Sequence, residues 1–178
     1  MAGRFHFITI CCLAGTVLSG VLFYCLGQGF FLSLAITLGT VSYHLGIRLL
    51  VGALVQAVVK NRVDYTKKWY QLRPWEHKLY KALHVKAWKD KMPTYDPAAF
   101  SVKQHSWYEI AQAMCQSELV HELNALLSFA PLAASRWFGA FGVFLTTSLC
   151  GAAFDLLFVV IQRYNRERVL KIAAHRQD

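Results

Sequence analysis

Glu118, His121 and Glu122 fall within the apolar stretch Cys115–Pro131, CQSELVHELNALLSFAP. On a helix they occupy positions i, i+3 and i+4, so two carboxylates and an imidazole share one face. An ionisable group at membrane depth costs roughly 2.5–3.5 kcal/mol on insertion scales. Such groups therefore call for partners. His44 and Arg48 form a second pair at i,i+4 in another apolar run, and Asp155 lies alone in a third.

Two chemistries suit this set. In acid–base catalysis, an imidazole oriented by a carboxylate removes a proton from an alcohol or water, and an arginine stabilises the oxyanion. Here His121 is the base, Glu118 or Glu122 its orienter, and His44 and Asp155 complete the catalytic set. The alternative is a divalent metal held by His44, Glu118, His121, Glu122 and Asp155, with an open position for water. Glu118-Leu119-Val120-His121-Glu122 is not the HExxH zinc signature, and the leading reading has no metal and no cofactor. GxSxG elbows, Walker loops and GxGxxG fingerprints are missing from the chain. The bland account makes these polar residues interhelical glue, worth about 0.6 kcal/mol per hydrogen bond.

The 178 residues are 56% hydrophobic and 16% charged, where a soluble domain carries about 25% charged residues. This composition predicts an all-α integral membrane protein forming one domain, 1–178. Uncharged or nearly uncharged runs predict four transmembrane helices at about 7–27, 30–59, 110–134 and 138–162. The first reads as a retained span rather than a signal peptide. Gly27-Gln28-Gly29 and Ser135-Arg136-Trp137 read as short turns. The five cysteines lie in apolar stretches without zinc spacing and read as packing residues.

Segment 60–109 holds 11 of the 19 lysines and arginines, interleaved with tryptophan and tyrosine. Basic residues mixed with aromatics also stack nucleic-acid bases. Beside two hydrophobic spans the pattern is that of a membrane-surface region over anionic headgroups, and no nucleic acid is expected. Trp75–Lys89 has amphipathic character, and Pro93 and Pro97 break any helix that follows. With the basic tail 163–178, this charge distribution predicts a multi-pass protein of the cell membrane with both termini and the 60–109 segment in the cytoplasm.

Rise along four antiparallel helices then sets depth. His44 and Arg48 fall roughly 21 and 27 Å from the outer end of the second span, and Asp155 roughly 25 Å along the fourth. Glu118 to Glu122 fall roughly 12–18 Å from the inner end of the third. All converge on the inner half of a core about 30 Å thick. At the inner boundary stands Gln162-Arg163-Tyr164-Asn165-Arg166-Glu167-Arg168, a donor set denser than anchoring needs. Its arginines suit bidentate grip of a phosphate or carboxylate.

Three blocks resemble the glycosyl-diaponeurosporenoate acyltransferase family of small bacterial membrane proteins, which act in carotenoid synthesis. They are Val85-Lys86-Ala87-Trp88-Lys89-Asp90-Lys91 with Pro93, Glu118-Leu119-Val120-His121, and Ile161-Gln162-Arg163-Tyr164-Asn165-Arg166 with Arg168. The chain departs from the family pattern at Asp155, Glu122 and Glu167. The resemblance implies transfer of a fatty acyl group to a hydroxyl of a lipid-linked sugar at the inner membrane face. Substrate-binding roles are expected for Arg48, Trp88, Lys89, Gln162, Arg163, Tyr164, Asn165, Arg166 and Arg168, with Arg163 and Arg166 as a headgroup or donor clamp. The partners expected are membrane lipids and an acyl donor such as acyl-CoA or acyl-carrier protein. The non-enzyme alternative is a lipid-binding or transport accessory protein. Oligomeric state is not readable from the sequence.

Overall fold

The computed structural model describes residues 2–175. Seven helices and three short 3-10 turns make up the fold, with no strand among the described residues. α1 (Ala2–Leu26) and α2 (Gly29–Val59) are joined at Gly27, whose φ of 66° is open to glycine at little cost. They pack side by side where Gly15 faces Leu38 and Gly39 faces Thr16, small residues that let the helices approach closely. Phe7, Ile10, Leu13, Val17 and Leu18 of α1 remain exposed, an apolar surface suited to lipid. α2 ends where Lys60 and Asn61 turn left-handed.

The polar segment folds into α3 (Pro74–Ala82) and the single turn α4 (Val85–Trp88), followed by 3-10 turns. The predicted amphipathic stretch 75–89 is thus two pieces, broken at His84, whose φ is 51°. α3 carries Pro74 at its first turn and a capping box in which Glu76 accepts from the Arg73 N–H.

α5 (Trp107–Leu127) starts at a second capping box, Ser106 with Glu109. Its buried positions Ile110, Ala111, Met114, Cys115, Glu118 and Ala125 follow helical periodicity. A 3-10 turn at Ala130–Ala134, beginning beside Pro131, and the single turn α6 (Ser135–Phe138) lead to α7 (Phe141–His175). The third predicted span therefore stops at Leu127 rather than 134, because Pro131 cannot continue the helix. The linker predicted at Ser135–Trp137 is itself a helical turn. α7 continues far past 162, through most of the predicted tail; positions 176–178, including Arg176, lie outside the described residues.

α1, α2 and α7 are long and apolar enough to cross a membrane. α5 does not meet that measure, since Glu109, Glu118 and Glu122 interrupt it. α5 and α7 form the tightest helix pair, antiparallel, and α2 lies against both.

Candidate active site

One face of α7 carries the site. Asp155, Val159, Gln162, Arg163 and Arg166 recur at helical spacing and are all buried. This face meets the buried face of α5 and assembles two polar layers.

The first layer is formed by three helices. The Asp155 carboxylate of α7 lies 2.9 Å through Oδ1 from Nδ1 of His121 on α5, and Oδ2 accepts from Arg48 of α2 at 2.5 Å. Arg48 also donates to the Gly151 carbonyl at 3.1 Å and to the carbonyl of His44. Asp155 is fully buried, while the His121 side chain keeps 22% of its surface exposed. The imidazole stacks on Phe158, with centroids 4.7 Å apart and planes 11° apart. Carboxylate and aromatic ring together fix the plane of the imidazole. With Nδ1 committed to Asp155, Nε2 is the nitrogen available for proton transfer.

The second layer lies about two turns along α7 from Asp155. Glu118 of α5 is fully buried and accepts from Arg163 at 2.5 Å through Oε1 and from Arg166 through Oε2. Arg163 also makes a bidentate pair with Glu76 of α3, through Nε at 2.7 Å and Nη2 at 2.9 Å. The remaining donors of the two arginines hold the chain below them. Arg163 reaches the carbonyls of Trp69 and Gln71, and Arg166 that of Tyr70, whose ring also lies under its guanidinium. The loop at 69–71 is thereby strapped across the end of the α5–α7 pair. Trp69 in turn donates its indole N–H to Glu122 at 3.1 Å.

The carboxylate within reach of His121 is thus Asp155, not Glu118 or Glu122. Three residues before His121, Glu118 is turned toward the arginines of α7. Arg163 and Arg166, expected to clamp a headgroup or donor, spend their donors on Glu76, Glu118 and three backbone carbonyls. His44 approaches the first layer from α2, its ring nitrogens buried and without a hydrogen-bond partner beside Gly151. The other predicted residues sit toward the second layer or beyond it. Gln162 is buried, Asn165 half-buried, and Arg168 lies over the Tyr164 ring at 5.7 Å. Trp88 donates to the Leu83 carbonyl at 2.9 Å, and Lys89 pairs with neighbouring Asp90. The five residues of the metal alternative are not gathered into a ligand set. Among the described residues, no three His, Cys, Asp or Glu side chains are grouped to hold a metal ion.

Sequence reading missed Glu76. Its one signal was that it stands alone as a carboxylate between Asp64 and Asp90, amid seven basic residues. Burial alone would push the Glu76 carboxyl up, but hydrogen bonds from Arg163, the Arg73 N–H and the Tyr80 hydroxyl hold it below the ordinary value. A lowered carboxyl contributes stability above its unfolded pKa and loses it as pH falls through the folded one. Thermal unfolding of the detergent-solubilised protein is expected to worsen as pH drops below about 4.5. Glu76→Gln should flatten that acid limb; an unchanged limb would assign it to other carboxyls.

The bundle is all-helical among the described residues, with three helices long and apolar enough to cross a membrane, and it holds a hydrogen-bonded His–Asp pair. The sequence profile of the glycosyl-4,4'-diaponeurosporenoate acyltransferases matches residues 66–175, and the chain belongs to that family. The match begins in the strapped loop and runs to the end of α7, taking in Glu76, Glu118, His121, Asp155, Arg163 and Arg166. It leaves out α1 and α2, and with them His44 and Arg48. Comparison with curated proteins and with solved structures gives no significant match.

Proposed function

We propose that the protein is a membrane-embedded acyltransferase that moves a fatty acyl group from an activated donor to a hydroxyl of a glycosylated lipid. The observation that carries this is the His121–Asp155 hydrogen bond, with Asp155 held from the other side by Arg48. His121 Nε2 takes the proton of the acceptor hydroxyl while Asp155 steadies the imidazolium that forms. The alkoxide attacks the acyl carbonyl of a thioester. A new C–O ester bond forms, the C–S bond breaks, and the proton passes from His121 to the departing thiolate. Arg48 positions Asp155. Glu118, Arg163, Arg166 and Glu76 hold α3, the 69–71 loop, α5 and α7 in register.

In this reading α5 is the fourth span, with Glu118 sheltered by two arginines and Glu122 bonded to the Trp69 indole rather than exposed to lipid. The acid–base layer lies toward the cytoplasmic leaflet, since the basic segment and the distal half of α7 lie beside the second layer. A cysteine introduced at Ser101 is expected to react only with reagents applied from the cytoplasmic side. Labelling of intact cells by an impermeant maleimide would move the site to the opposite leaflet.

Purified protein in a bilayer, given an acyl thioester and a glycolipid extract, should yield a lipid heavier by one acyl group. Asp155→Asn keeps the shape but presents the wrong partner to Nδ1, and should lower the rate on the order of 10²–10⁴-fold. Full activity in Asp155→Asn would remove Asp155 from the mechanism.

A further inference from the structure

A second feature lies outside the acid–base layer. A cleft of about 540 Å³ opens between the α3–α4 elbow and α7, lined by His77, Tyr80, Lys81, His84, Lys86 and Tyr164 among others. Its volume is in the range of small-molecule sites. Val85, with no exposed surface, is part of its lining. Tyr80 and Tyr164 meet edge-to-face at 6.3 Å, and the Tyr80 hydroxyl donates to Glu76 at 2.9 Å. One wall is thereby tied to the cluster that anchors α7.

The charge in this cleft is unbalanced. Among the described residues, Lys81 and Lys86 have no carboxylate within ion-pair distance. The one carboxylate lining it, Glu167, is shared between Lys171 at 2.7 Å and His77 at 3.7 Å. Trp75 and Leu79 are exposed on the opposite side of α3, roughly 200° around the helix from His77 and Lys81. That apolar stripe suits the membrane surface and leaves the cleft open to water. An anion reaching it arrives from the aqueous side.

We propose that this cleft binds the phosphate of a phosphopantetheine-borne acyl thioester, the donor in the acyl transfer argued above and an inference that rests on it. Lys81 and Lys86 take the phosphate, with His77 and His84 beside them, and the tyrosine pair walls the organic body. Tyr164 stands nine residues from Asp155 on α7, about 13 Å along the axis and roughly half a turn around it, so the thiol arm passes round the helix. A flexible thiol arm spans that distance, bringing the thioester carbonyl toward the hydroxyl that His121 deprotonates. Acyl carbon then exchanges its bond to sulfur for one to the acceptor oxygen, and the free thiol departs through the cleft.

The test is equilibrium binding of coenzyme A to the full chain in nanodiscs of neutral lipid. Wild type and His121→Ala should bind alike, and binding should weaken with added salt. Pantetheine, which lacks phosphate, should not bind. The doubly substituted Lys81→Ala/Lys86→Ala protein should bind at least 10-fold more weakly at unchanged thermal stability, and in transfer assays should raise donor KM with little change in kcat. Preference for a phosphopantetheinylated carrier protein over coenzyme A, with the same lysine dependence, supports the same chemistry and names the carrier as its source. No binding of either phosphate-bearing probe, or binding indifferent to the two lysines, overturns the proposal. So does lysine-dependent capture of anionic vesicles without either probe binding, which assigns the cleft to lipid headgroups. Acyl transfer surviving such a failure would leave the His121 mechanism standing, whereas donor binding without transfer would fault that mechanism and not the cleft.

Discussion

Replacing His121 by alanine is expected to lower acyl transfer by about 10²–10⁴-fold while leaving a folded, membrane-inserted protein. The side chain is only partly buried, and its loss leaves Asp155 still paired with Arg48. Its removal therefore strips the base without stranding a buried charge. The readout is specific activity per folded molecule, set beside folded yield from size-exclusion chromatography. If the polar set served only to glue helices together, yield would fall and specific activity would stay near normal. Near-normal specific activity in His121→Ala would end the catalytic reading.

Glu118→Ala should show the reverse pattern. Glu118 is fully buried between Arg163 and Arg166. Truncating it leaves Arg166 with no paired carboxylate among the described residues, because its other contacts are the Tyr70 carbonyl and ring and the Cys115 thiol. Removing one partner of a buried pair typically costs about 3–5 kcal/mol. Arg163 would retain Glu76, so Glu76→Ala alone should be milder for α7 but should free the 69–71 loop and α3. Thermal unfolding in detergent, with limited proteolysis at the 69–71 loop, measures both. A wild-type unfolding temperature in Glu118→Ala would show that Arg166 finds another partner. The molecules of Glu118→Ala that do fold should retain much more activity than those of His121→Ala.

That His44, Arg48, Glu118, His121, Glu122 and Asp155 share one depth was legible in the sequence, because helical rise and antiparallel topology place them there. Their pairing was not. Glu118 and Glu122 are neighbours of His121 in sequence, which made either one the natural orienter. The choice of Asp155 depends on the rotation of α5 against α7, which the weak hydrophobic periodicity of the two helices does not fix. The same ambiguity concealed the fate of Arg163 and Arg166. Two arginines at a helix's polar boundary look available for a ligand unless Glu118 is known to bridge them and Glu76 to fold back onto Arg163. Glu76 sits 87 residues away in sequence, in a segment whose basic charge dominates its reading. α5 illustrates a further limit. Its carboxylates make it too polar for a span by hydropathy alone, yet the arginines and tryptophan that satisfy two of them come from elements distant in sequence. Pro131 was visible throughout, but how far ahead of it the helix ends, at Leu127 with Ser128 as the C-cap, was not.

The central claim is that the His121–Asp155 pair drives acylation of a lipid hydroxyl, and the lipids of living cells test it most directly. Total lipids would be compared by mass spectrometry among cells lacking the protein and cells restored with wild type, His121→Ala or Asp155→Asn, each at matched folded level. The account predicts that one O-acylated glycolipid disappears without the protein, that its deacylated form accumulates, and that wild type alone restores the ester. An unchanged lipid profile in the deletion, or full restoration by His121→Ala, would contradict it.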